Sequence, residues 1–147
     1  MGRKVCFIGH RFLLPSNIQL FLKTAIESEI KQGCKNFIVG SHGDFDREAL
    51  DTCLSLRNIY PDIKIEVAVT SFNQTYTNVE TVMFEIENLH YKQRIMASNK
   101  QMIDSCDTLI CYVKPNSWNS GAKMVMDYAI KQGLKIINLY DDNYATL

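Results

Sequence analysis

Gly9-His10-Arg11 stands where the apolar run Val5-Cys6-Phe7-Ile8 ends. A glycine there lets the backbone come close to a ligand. An arginine offers a two-pronged donor for phosphate or carboxylate, and a histidine donates a hydrogen bond or moves a proton near neutral pH. An ordinary strand-to-helix turn with a solvated arginine accounts for the same three residues equally well. The string Gly40-Ser41-His42-Gly43-Asp44-Phe45-Asp46-Arg47 follows a second apolar run, Phe37-Ile38-Val39. Its glycines flank a turn that opens a helix, and the unpaired N–H groups of a helix's first turn attract anions. The string is neither G-x-G-x-x-G nor a P-loop. Asp44 and Asp46 suit helix capping, ribose hydroxyls or acid–base work. A carboxylate competes with phosphate at the same helix end, so these acids favour ribose or base there.

Asn119-Ser120-Gly121-Ala122-Lys123 follows a later apolar run, Leu109-Ile110-Cys111-Tyr112-Val113. Small residues at a helix start suit close approach by a phosphate, and Lys123 adds charge; a Ser120 cap beside a solvated lysine explains them as simply. Arg94 and Asn99, in the segment Tyr91-Lys92-Gln93-Arg94 to Asn99, are placed to reach the same region from the preceding helix, although such charges commonly mark a solvated face. Trp118 suits base stacking or anchoring a lid. The methionines Met96, Met102, Met124 and Met126 read as core filler. No Ser-His-Asp or Cys-His order stands out.

These strings need elements to hold them. Short apolar runs ending in turn residues predict strands near 5–8, 37–39, 109–113 and 136–139, and the alternation Ile63, Ile65, Val67, Val69 predicts another. Helical spacing of Ile18, Phe21, Leu22, Ala25, Ile26 and Ile30, and of Phe45, Ala49, Cys53 and Leu56, predicts two helices, with Asp44 as the cap of the second. Two more are predicted over 91–105 and 121–132, the last with Met124, Val125, Tyr128 and Ala129 on one side and Gly133 as its stop. The segment 71–87 is polar and aromatic. It reads as a long functional loop, with Thr77-Asn78-Val79-Glu80 as a capping box if a short helix forms. Strands alternating with helices predict an α/β, Rossmann-like, doubly wound domain whose mostly parallel sheet has about five strands flanked by helices. In such sheets ligands bind beyond the carboxyl ends of the strands near the topological switch point.

The 147 residues with 46% hydrophobic and 22% charged content predict one domain over 1–147. Sixteen basic against sixteen acidic residues give a net charge of +0, which weighs against nucleic acid as a partner. No run reaches the roughly 18–20 apolar residues of a membrane helix, and Met1-Gly2-Arg3-Lys4 shows no secretory pattern. Five widely spaced cysteines without a C-x-x-C pair argue against a metal site. They point to a reducing, cytoplasmic setting with the thiols as small buried residues.

Taken in order, Phe7-Ile8-Gly9-His10-Arg11, Val39-Gly40-Ser41-His42-Gly43-Asp44-Phe45-Asp46, Asn99-Lys100-Gln101-Met102-Ile103 ahead of Asp107, and Ser120-Gly121-Ala122-Lys123 resemble the SLOG superfamily. The resemblance spans nearly the whole chain and is closest to small stand-alone bacterial and phage members whose first strand ends in Gly-His-Arg. It implies a Rossmann-like domain that binds a nucleotide or nucleotide-derived, ADP-ribose-like ligand, as in Thoeris-type sensor domains, or that cleaves one, as in the lonely-guy phosphoribohydrolases. The ligand residues it implies are Gly9, His10, Arg11, Gly40, Ser41, Gly43, Asp46, Ser120, Gly121 and Lys123, in a homo-oligomer without a further cofactor. Against the hydrolase string P-G-G-x-G-T-x-x-E, residues 119–127 keep Gly121 alone, and Asp127 replaces the catalytic glutamate. An aspartate is one methylene shorter, which weighs against hydrolysis. Binding module therefore ranks first. An N-glycosidase or deoxyribosyltransferase-like enzyme using Asp46 or Asp127 ranks second, and a protein-interaction domain with a dead site third.

Overall fold

In the computed structural model, which describes residues 3–11, 14–86, 88–115 and 120–140, the elements run β1 (Lys4–Gly9), α1 (Ile18–Lys31), β2 (Asn36–Val39), α2 (Asp44–Arg57), β3 (Lys64–Ala68), β4 (Glu80–Val82), α3 (Tyr91–Asp104), β5 (Thr108–Tyr112), α4 (Gly121–Lys131) and β6 (Lys135–Asn138). β1 is central because both its faces are apolar. Val5 and Phe7 point to one side and Cys6 and Ile8 to the other, and all four are buried. The sheet order is β4-β3-β2-β1-β5-β6, with every neighbouring pair parallel.

The two faces carry separate cores. On one, Phe7, Phe37, Val39 and Ile65 meet Phe21, Leu22 and Ile26 of α1 and Phe45, Ala49 and Cys53 of α2. On the other, Ile8, Ile38, Leu109 and Cys111 meet Met102 and Ile103 of α3 and Val125 and Ala129 of α4. At the amino ends of the strands Glu29 is buried, with its carboxylate held by Lys135 Nζ at 2.9 Å and Arg3 Nη2 at 3.4 Å. Paired in this way, a buried carboxylate is tolerable.

Three expectations change. The expected α/β, doubly wound, parallel sheet flanked by helices is present, and among the described residues it has one strand more than the five read from sequence. The added strand is β4, inside the segment read as a loop with a capping-box helix. Glu80, taken for the box's second arm, begins this strand and pairs in register with Glu66. Asp44 is the first residue of α2, not its cap; Gly43 is the cap residue, and Asp44 pairs with Arg47 at 3.1 Å. Met124 is 56% exposed rather than core, because α4 turns Val125, Met126 and Ala129 onto the sheet.

Candidate functional site

After β1 the chain runs outward through β2 and β3 on one side, and β5 lies on the other. The carboxyl ends of β1 and β5 therefore flank the switch point, with Gly9 in register with Tyr112. A cleft of about 520 Å³ opens there, within the range of small-molecule sites. Ile8, Ile95, Met96 and Ala122 make its apolar part. Its polar wall carries Arg11, His42, Asp46, Asn99, Lys114 and Ser120.

Two turns interlock to build that wall. A side chain at Gly9 would overlap the ring of Phe45, which is fully buried at the start of α2. Gly43 has φ +99°, a left-handed conformation that favours glycine, and a Cβ there would sit 2.9 Å from the Arg11 Cα. The Asp44 N–H donates to the Arg11 carbonyl at 2.9 Å. Arg11 itself is exposed. Its backbone is tied to the β2–α2 turn, it lines the cleft, and its charge acts on His42 and Asp46 there.

Asp46 is the acidic group of the cleft. Its Oδ2 accepts the His42 N–H at 2.9 Å and lies 2.6 Å from where a Cβ on Gly40 would be, so only glycine leaves room for it. Burial pushes its carboxyl up to about 7, against the lowering effects of the His42 N–H and the Arg11 charge. The His42 ring meets Thr70 Oγ1 at 2.8 Å, and Gln74 Oε1 accepts the Thr70 N–H at 2.7 Å, tying this turn to the segment after β3. Burial, with Arg11 nearby, lowers the His42 pKa. Ser41 Oγ is enclosed and has no hydrogen-bond partner among the described residues.

His10 Nε2 accepts the Lys114 backbone N–H at 3.0 Å. That requires the ring to be neutral with its proton on Nδ1. Burial and the Lys114 charge both lower its pKa, in agreement. The ring stands edge-on to Tyr112, 6.1 Å between centroids. At the start of α4, Ser120 Oγ accepts the Lys123 N–H at 3.2 Å, a serine N-cap. Among the described residues, nothing lies within 4 Å of a Cβ placed on Gly121.

Of the residues singled out from sequence, Gly9, His10, Arg11, Asp46, Asn99, Ser120 and Gly121 line one cleft. Gly40, Ser41 and Gly43 lie in the turn behind it, where the space over the two glycines is filled by Asp46 and Arg11. Lys123 and Asp127 pair with each other along α4, Nζ to Oδ2 at 2.9 Å, and neither is among the lining residues. Arg94 Nε donates to the Leu89 carbonyl at 3.1 Å and is likewise not among them. Trp118 and Asn119 lie outside the described residues. Sequence reasoning quoted His42 and Ala122 inside its strings without giving them a ligand role, read Met96 as core filler, and passed over Lys114 and Ile95, all five of which line the cleft. Lys114 carried a usable signal, since it follows the strand whose carboxyl end the switch-point rule selects.

No family model and no curated protein matches the chain. Among solved structures it is similar to DNA processing protein A from Helicobacter pylori, a protein studied for its single-stranded DNA binding. The TM-score is 0.66 and the identity 18%, over 91% of this chain and 63% of that one. The chain thus spans less than two thirds of its structural neighbour, and at this identity the likeness establishes a shared Rossmann-like parallel α/β fold.

Proposed function

We propose that this chain is a SLOG-type domain that binds a nucleotide or an ADP-ribose-like nucleotide derivative in the cleft between the ends of β1 and β5. The observation that carries this is the composition of that single cleft. Arg11, Lys114 and the first N–H groups of α4 offer an anion site, beside an apolar floor of Ile8, Ile95, Met96 and Ala122 wide enough for a base. A phosphate takes the cationic side and the base the apolar side. His10, held neutral, adds no charge at pH 7 but holds the Lys114 backbone just after β5. Asp127, engaged with Lys123, supports binding over a lonely-guy type of hydrolysis.

Calorimetric titration with AMP, ADP-ribose, cyclic ADP-ribose and NAD tests the proposal. Binding is expected, weakened about tenfold to a hundredfold by Arg11→Ala through loss of a charged hydrogen bond, with the melting temperature unchanged because Arg11 is exposed. Silence across the panel refutes it. Chromatography of the same mixtures for free base tests the enzyme alternative. Single-stranded DNA is the second reading, favoured by the likeness to DNA processing protein A and opposed by the net charge of +0. An oligonucleotide arm in the same titration separates the two.

A further inference from the structure

We infer that Asp46 is the sugar-reading residue of the cleft, accepting hydrogen bonds from the hydroxyls of a ribose, so that the site takes ribonucleotides and rejects their deoxy counterparts. The inference rests on the nucleotide reading above and narrows it. Asp46 lines the cleft, yet one of its oxygens is spoken for: Oδ2 takes the His42 N–H. Oδ1 accepts no hydrogen bond from any described residue. When ionised, a carboxylate in that position repels a phosphate. It suits a donor without charge, and in a nucleotide the vicinal ribose hydroxyls are such donors.

The carboxyl is also held still. Gly40 leaves it just enough room from behind, and the His42 N–H fixes its plane from the side. His42 is anchored in turn on Thr70. An acceptor fixed in this way loses little entropy when a hydroxyl docks on it. The groups around it are Arg11 from the end of β1, His42 from the turn, and Tyr76 from the segment after β3. Burial and the Asp46 charge raise the Tyr76 pKa. Among these Arg11 is the cation, so a ligand that offers its phosphate to Arg11 brings its sugar within the neighbourhood of Asp46. Oδ1 accepts from the sugar when the carboxyl is ionised; when it is protonated the proton sits on Oδ1, because Oδ2 takes the His42 N–H, and Oδ1 then donates to a hydroxyl oxygen of the same sugar.

Titrations with AMP, 2′-deoxy-AMP, 3′-deoxy-AMP, ADP-ribose and 2′-deoxy-ADP-ribose test this. On the wild-type protein, loss of at least one ribose hydroxyl should weaken binding about tenfold or more, the size expected for a hydrogen bond to a charged group. Asp46→Asn is expected to keep the His42 contact through its amide oxygen and to put a neutral NH₂ donor where the charged acceptor stood, so the ribo-over-deoxy ratio should fall by about threefold or more, from that of a charged hydrogen bond to that of a neutral one. If the wild type binds AMP or ADP-ribose and every deoxy form equally, the sugar-reading role is overturned while the nucleotide reading stands. If it binds none of the ligands, both fall. The wild-type ratios decide the matter even if the variant is unstable.

Discussion

Replacing Asp46 with asparagine should change how stability depends on pH more than it changes the fold. In the folded chain the carboxyl titrates at about 7, against 3.8 for an unhindered aspartate. That shift of about 3 units corresponds to roughly 4 kcal/mol between the protonated and ionised forms. The residue keeps some exposed area, so this is an upper bound. The sign follows from proton counts: between pH 3.8 and about 7 the folded state holds a proton that the unfolded state has lost. The contribution is therefore complete below pH 3.8 and disappears as pH rises through about 7. From pH 5 to pH 8.5 the wild type should lose roughly 2–3 kcal/mol through this residue, and Asp46→Asn, which has no proton to lose, should not. His10 and His42 act in the opposite sense. Their lowered pKa values stabilise the fold above pH 6.5, and that stability is lost as pH falls. They are present in both proteins, so the difference between the two isolates Asp46. Urea denaturation of each at pH 5 and pH 8.5 measures it. Parallel pH profiles would show that the carboxyl is solvated and that the cleft wall does not enclose it.

Gly9→Ala should destabilise the chain by about 1–3 kcal/mol or more, because its methyl overlaps the buried Phe45 ring; Phe45→Leu in the same chain should recover part of the loss in urea melts, and full additivity would count against the contact. Gly121→Ala meets no atom of the described residues and should leave stability unchanged or raise it by up to about 1 kcal/mol. Because Gly121 lines the cleft, that methyl should nonetheless weaken ADP-ribose binding in calorimetry; undiminished binding would place the ligand away from α4. Ser120→Ala should cost about 1 kcal/mol through loss of the α4 cap, measured by urea melts. Among the cysteines, Cys106 should be labelled first by a thiol reagent under native conditions. It is partly exposed while the other four are buried, and a hydrogen bond from Cys6 lowers its pKa; mass spectrometry of the labelled peptides checks the order.

The alternation of strand and helix was readable because a sheet covered on both faces demands it. Val5–Ile8 and Leu109–Val113 are unbroken apolar runs, and Phe45, Ala49, Cys53 and Leu56 recur at helical spacing; all are buried. β4 carried no such mark. It lies at the sheet edge with one neighbour, is three residues long, and exposes Glu80 and Thr81, so burial imposes no pattern on it. The candidate cleft was legible in outline for a topological reason, since the switch-point rule brings the segments after β1 and β5 together wherever they fall in sequence. The partners of individual side chains were less so. Lys123 and Asp127 stand four apart on one helix, a spacing that favours their pairing, and that signal was available without coordinates. The space over Gly9, Gly40 and Gly43 is taken by Phe45, Asp46 and Arg11 of the chain itself, which no spacing rule distinguishes from space left for a ligand.

Those same contacts explain why the cleft has two unlike sides. Its apolar floor belongs to the core beneath α3 and α4, where Ile8 is buried and Met96 and Ala122 pack against it. Arg11, His42 and Asp46 come instead from turns that belong to the face covered by α1 and α2, anchored through Phe45. The rim of β1 is where the two cores meet, and Gly9 is the residue at which the chain crosses from one to the other. A ligand with an apolar ring at one end and charged, hydroxyl-bearing groups at the other would touch both faces of the sheet at once. It would add a connection that the separate cores do not supply, and occupancy should then stabilise the whole domain in proportion to RT ln(1 + [L]/Kd) rather than order one loop.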